Sequence, residues 1–169
     1  MRNTAMSGNV DTDKFIQWIK VAQEIHIQNY LGTKLYDKIS ADIIANTLTG
    51  DYLSLVNVHV APMLIHFAMV EYLPFAAYTI ANKGVYKHGS ENSQNVDKEE
   101  VDFLVAKEQK IADYYARRFV DYMDFNASTK FPEYYTNNND DVWPEKDAYF
   151  SSWVLWRLPT YRKITTLRN

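Results

Sequence analysis

The chain has 169 residues, a net charge of −3, no cysteine and 15% aromatic residues. That length fits one domain with an extension, and an apolar share of 47% is enough to build a sizeable core. Disulfides, iron–sulfur clusters and thiol catalysis are excluded, and no global basic excess points to nucleic acid.

Met1 to Val10 is polar and lacks the apolar run of a signal peptide. Asp11 is a candidate N-cap. Phe15, Trp18, Ile19, Ala22, Ile25 and Asn29 then recur at three- and four-residue spacing, which predicts a helix over 13–29. Tyr30-Leu31-Gly32 should break it. A second helix is expected over 34–46, with Leu35, Ile39, Ile43 and Ile44 on its apolar side. Leu48-Thr49-Gly50-Asp51 reads as a turn whose aspartate caps the next helix.

Residues 52–57 predict a short helix leading into a longer one from Val58. Pro62 falls near its start, and Pro74 should kink or split it near 70–73. Residues 63–81 are apolar almost all round, the pattern of a helix central to a bundle or an assembly rather than of a membrane span. Asn82-Lys83-Gly84 reads as a helix stop with Gly84 in the left-handed position. Residues 85–88 are short and extended, and 89–95 form a polar loop. Asp97 and Glu100 make a D-x-x-E capping signal. Behind it, Val101, Leu104, Ile111, Tyr115, Phe119 and Tyr122 form the stripe of a long helix over 97–125. Residues 126–129 should end it, 131–135 form an irregular aromatic segment, and 137–141 read as a polar, solvated hinge.

The fold expected is all-α, a bundle of about four to five helices with an extended C-terminal arm. Its parts are a flexible N-terminus (1–10), a helical domain (11–136) and an aromatic, basic arm (137–169). No catalytic constellation is legible, and the chain reads as a non-enzyme without cofactor. His59 and His66 are seven apart and could share a helix face, but no third ligand accompanies them and both read as core or interface histidines. Asn137 to Asp141 lacks the spaced acids, glycine and terminal glutamate of a calcium loop. The glycines match neither a P-loop nor a dinucleotide fingerprint.

The arm holds the distinctive chemistry. Trp143, Tyr149, Phe150, Trp153, Trp156 and Tyr161 are its rings, and Arg157, Arg162, Lys163 and Arg168 its cations; no acid comes after Asp147. A disordered tail is poor in aromatics, so these rings need a surface, either the preceding bundle or another molecule. On a partner protein the rings would fill pockets and the arginines meet acids on the rim. On nucleic acid the cations would meet phosphates and the rings stack on bases. The run Trp153 to Leu158 is more apolar than a phosphate-tracking groove needs, which favours a protein surface over the alternative of a nucleic-acid-binding accessory protein.

Three stretches carry a resemblance: Tyr30-Leu31-Gly32-Thr33-Lys34-Leu35-Tyr36, Ala81-Asn82-Lys83-Gly84-Val85 followed by Ser90-Glu91-Asn92-Ser93, and Phe131-Pro132-Glu133-Tyr134. With the early helix that runs into the first of them, the resemblance covers about 11–136. This stretch resembles the small helical head-to-tail connector (adaptor) proteins of tailed bacteriophages of Bacteroides-type hosts, the crAss-like phages among them. The resemblance implies a structural virion protein at the head–tail junction, assembled in the host cytoplasm. It implies a homo-oligomeric, typically dodecameric ring beneath the portal protein that extends the DNA channel. A downstream tail or ring protein would dock on it, and genomic DNA would pass without specific binding; no membrane is involved. By analogy 149–169 would clasp the portal. Ser90, Glu91, Asn92, Ser93 and Gln94 would form a loop facing the channel or a neighbouring ring.

Overall fold

The computed structural model describes residues 12–76, 78–81, 84–87 and 97–146. Four helical rods make an all-α fold. The first comprises α1 (Thr12–Ala22), a widened π-turn (Gln23–Ile27) and α2 (Gln28–Leu31). The second is α3 (Thr33–Ile44). The third comprises α4 (Gly50–Leu55), a second π-turn (Val56–Val60), α5 (Ala61–Tyr72) and a 3-10 turn (Leu73–Phe75). The fourth is α6 (Lys98–Lys130), 33 residues and hence about 50 Å long. A 3-10 turn (Pro132–Tyr135) comes after it.

The α5 helix is the centre of the packing, against α6 on one side and α1 on the other. Phe67, Ala68 and Met63 from α5, Ala112, Ala116, Phe119 and Met123 from α6, and Ala22, Ile27 and Leu31 from the first rod are all buried. Three of the α6 core positions are alanines, including Ala127, and Ala68 of α5 belongs to the same core. Small side chains there let the backbones approach closely. By length and mean hydropathy, Gly50–Phe75 is also long and apolar enough to cross a bilayer. In this fold it is the packed middle rod and carries His66 and Glu71, bonded to Glu108 and His26 respectively.

Both π-turns shift the apolar face by one residue. In the first rod the buried positions run Ala22, Ile27, Tyr30, Leu31, with a step of five where a regular helix steps four. Ile25, expected on the apolar face, is therefore turned outward and is 51% exposed. In the third rod Leu55 and Val60 show the same step of five. That widening lies immediately before Pro62, whose ring would clash with a regular upstream turn.

Other expectations need correction. Thr49, not Asp51, is the N-cap of α4; Asp51 instead pairs with Lys130, 3.2 Å away. The apolar run does not stay helical to residue 81. Pro74 ends the rod, and β1 (Tyr78–Ala81) pairs antiparallel with β2 (Gly84–Lys87) in a two-stranded ribbon. Gly84 opens a strand instead of capping a helix. The α6 helix runs through 126–129 to Lys130. Its first four turns carry no buried residue: Leu104 is 44% and Phe103 70% exposed, so Val101 and Leu104 of the expected stripe lie outside the core.

The cap of α6 matches its sequence signal. The Asp97 carboxylate accepts from the Glu100 N–H at 2.9 Å, and the Glu100 carboxylate accepts from the Asp97 N–H at 3.2 Å. Asp97→Ala should cost about 1 kcal/mol. Because the first turns of α6 stand clear of the core, the loss should appear mainly as faster amide exchange over 98–104, measured by hydrogen–deuterium exchange.

Candidate functional site

In the polar run 137–141, read as a solvated hinge, Asn138, Asn139 and Asp140 are exposed, but the ends of the run are fastened to the bundle. Asn137 is buried, donates to the Tyr134 carbonyl at 3.3 Å and accepts from the Lys34 N–H at 3.0 Å. Thr33 and Val142 exchange two bonds: the Thr33 N–H donates to the Val142 carbonyl at 3.0 Å, and the Thr33 hydroxyl accepts from the Val142 N–H at 2.9 Å. The Glu145 N–H donates to the Asn29 carbonyl at 2.7 Å, and Lys34 pairs with Asp141 at 3.4 Å. The segment thus lies across the corner where the first rod turns into α3.

Gly32 makes that corner possible. Its φ of +73° and ψ of 160° suit only glycine, and a Cβ there would lie 2.8 Å from the Pro144 ring and 2.9 Å from the Asn137 amide. The break read at Tyr30-Leu31-Gly32 is therefore real, and it is also a docking point for a distant part of the chain.

Beside the corner a cleft of about 500 Å³ opens between the first rod, α5 and α6. Phe67 forms its floor, with the His26 ring stacked on it at 4.1 Å and 7°. His26 is held by Glu71 at 2.8 Å. Ile25, Asn29 and Tyr30 form one wall, Gln109 and Asp113 the other, and Glu145 completes the rim. The Gln109 amide donates to Asp113 at 2.7 Å. Among the described residues, no lysine or arginine lines the cleft. Burial above all, and then the charges of Glu145 and Asp113, push the Tyr30 phenol up to about 12.

The other two described histidines, His59 and His66, face α6 rather than each other. His66 is buried, bonds Glu108 at 2.7 Å and stacks on Tyr115; His59 stacks on Tyr122 at 4.2 Å. The reading of both as core or interface histidines fits these contacts. Among the described residues, no group of three or more His, Asp or Glu side chains lies close enough to hold a metal ion. Burial, and secondarily Arg118, hold the His59 imidazole below its ordinary value. The folded chain then binds this proton more weakly than the unfolded chain. The resulting stabilisation is complete above an unfolded pKa of about 6.5 and is lost as pH falls through it. His59→Phe, which keeps the ring stack, should therefore lose less stability than the parent between pH ~7.5 and ~5, read from urea midpoints.

A second, apolar depression of about 280 Å³ lies between the first rod, α3 and the third rod, lined by Ile27, Ile39, Ile43, Ile44, Val56 and Leu64 among others. Ile44 is 86% exposed beside it.

Of the residues expected to bind a partner, Trp143 is described. It is 55% exposed, and its indole N–H donates to the Asn138 carbonyl at 3.2 Å. Tyr149, Phe150, Trp153, Trp156, Arg157, Tyr161, Arg162, Lys163 and Arg168 lie outside the described residues, as does the loop Ser90, Glu91, Asn92, Ser93, Gln94. The cleft has no counterpart among the sequence expectations. Its parts come from three rods and the 142–146 strand, and only the exposed Ile25 and the buried Asn137 hint at it.

The Gly32 corner, α3, α5, α6 and the pinning segment up to Val142 fall within one family profile, that of DUF6712, a family of unknown function, which matches residues 27–142; of the cleft lining, Ile25, His26 and Glu145 lie outside the match. The chain belongs to the DUF6712 family. The match begins at the last residue of the first π-turn and ends at the residue that closes onto Thr33, so the family unit contains both sides of the Gly32 corner. No protein with a curated description and no solved structure matches this family member.

Proposed function

We propose that this DUF6712 protein is a structural, non-catalytic subunit of a phage virion. It would form a homo-oligomeric connector ring under the portal at the head–tail junction, extend the DNA channel and present a platform to tail proteins. The observation that carries this reading is the distribution of exposed apolar side chains over separate elements of a rigid bundle. Ile43 and Ile44 lie on α3 beside an apolar depression, while Phe103 and Leu104 lie on the projecting start of α6. A ring needs two different patches on each subunit that meet head to tail, whereas a two-fold dimer needs one. Exposed large apolar side chains grouped in this way are the material of protein contacts.

Two further features support it. The family resemblance read at residues 30–36, 81–93 and 131–134 implies the connector role. The 137–146 segment is fastened to the bundle, so the aromatic, basic residues beyond it start from a fixed point. A short arm starting from a fixed point finds its partner with less loss of freedom than one on a loose tether.

The test is co-expression of the full chain with the portal protein of the same genome, followed by electron microscopy of the material that copurifies. A second ring stacked on the portal is expected. Trp153→Ala combined with Trp156→Ala should lower that copurification at least tenfold without changing helicity. A bare portal would sink the proposal. Loss of helicity in the double variant would place those rings in the subunit's own core.

A further inference from the structure

The cleft beside the Gly32 corner has the chemistry of a receptor for a cation carried on an aromatic or apolar segment. Its floor is the stacked His26 and Phe67 pair, its opposite rims carry the Asp113 and Glu145 carboxylates, and no described lysine or arginine lines it. A guanidinium suits such a place better than an ammonium. It is flat, stacks on rings and gives forked hydrogen bonds to carboxylates. A volume of about 500 Å³ falls within the range of sites that hold a bulky group.

The place where the described chain stops supplies the occupant. Glu145 is fixed to Asn29 on the cleft's rim, and Lys146 is the last described residue. The chain therefore leaves from the edge of the cleft. Beyond Asp147 the sequence contains no acid, and it places Trp153, Trp156 and Arg157 within eleven residues of Lys146. Eleven residues span at most about 40 Å, so reach sets no limit. Charge, ring content and exit point all match the cleft.

We propose that this cleft is the docking site of the chain's own C-terminal segment 153–162. The Arg157 guanidinium meets the Asp113 and Glu145 carboxylates, and the neighbouring tryptophans lie against Ile25 and Phe67. The docking stands independently of the connector reading. Only its use rests on that reading: a segment held on its own subunit stays off other surfaces until a better-fitting one competes for it.

The test places a photoreactive benzoylphenylalanine at Leu158 in the full chain, irradiated at low protein concentration and mapped by mass spectrometry. Adducts within one chain, on peptides covering 25–30, 67 or 109–113, are expected. Asp113→Asn with Glu145→Gln should lower their yield at least fivefold, and Arg157→Gln with the cleft intact should do the same. Circular dichroism of each variant should match the parent. Adducts confined to other elements, or yields unchanged by both variants, would overturn the proposal. Adducts that join two copies at the same cleft residues would also overturn it, and would assign the cleft to a neighbour's arm.

Discussion

Phe67→Ala is expected to cost about 3–5 kcal/mol, a large part of the about 5–15 kcal/mol that holds a domain of this size together. Phe67 is 2% exposed at the centre of α5. Its ring carries His26 on one face at 4.1 Å and has Tyr30 at 6.2 Å. Removing it takes the floor from the cleft and leaves His26 without its stack. The neighbours best placed to collapse into the gap are held in place, His26 by Glu71 and Tyr30 by its burial in the first rod. Urea unfolding should show a lower midpoint with an unchanged slope. A loss below about 1.5 kcal/mol would mean that the first rod closes over the space, as happens at core sites able to relax. Arm-to-cleft adducts should fall in the same variant, because the surface that receives the tryptophans is gone.

Gly32→Ala is expected to cost about 3 kcal/mol, from a backbone region that is essentially glycine's alone and from the Cβ contact with Pro144. Gly50→Ala provides the internal comparison. Gly50 also has positive φ, +58°, but nothing lies within 4 Å of the added carbon. Its variant should lose only about 1 kcal/mol. The two also differ in where the damage appears. At Gly32 the added methyl pushes against Pro144, so residues 137–146 should lift from the corner and become sensitive to protease at 138–141. Equal losses at the two glycines, or an undisturbed 137–146 segment in Gly32→Ala, would show that the corner yields without releasing the segment that crosses it. Pro144→Ala in the Gly32→Ala background separates the two causes. Recovery of stability assigns the loss to the Pro144 contact, and no recovery assigns it to the backbone or to the Asn137 amide, 2.9 Å from the added carbon.

Much of the architecture could be read from residue types. The D-x-x-E signal at Asp97, the break at Gly32 and the helical nature of 13–29 and 34–46 all rest on local chemistry, and local chemistry is what a sequence displays directly. The errors have one physical theme, interactions whose partner is remote. The π-turns insert one residue into a periodic pattern, so a stripe built on steps of three and four runs true up to Ala22 and then points to Ile25 instead of Ile27. In α6 the large apolar residues at 101 and 104 drew attention from Ala112, Ala116 and Ala127, which are fully buried because their neighbours come close enough to need small partners. The Asn-rich run at 137–141 looks solvated by composition. Asn137 is buried because its amide satisfies Lys34, more than a hundred residues earlier. The cleft was illegible for the same reason, since its walls come from elements far apart in the chain. The arm's rings and cations were legible as chemistry, while their destination depends on surfaces that the arm itself does not encode.

The bonds across the Gly32 corner join residues 103 and 109 positions apart. During synthesis, the first rod and α3 leave the ribosome long before the strand that fastens them exists. Until Val142 emerges, Lys34 and Thr33 lack the full set of partners that fixes the Gly32 corner. Closing so long a loop is slow relative to forming helices. The corner is therefore set late, after all four rods are available, and a chain cut short before Val142 keeps it unlatched. Such a fragment would present a misaligned first rod to any neighbour. The geometry thus makes the setting of the first rod against the rest of the bundle conditional on synthesis having passed the latch.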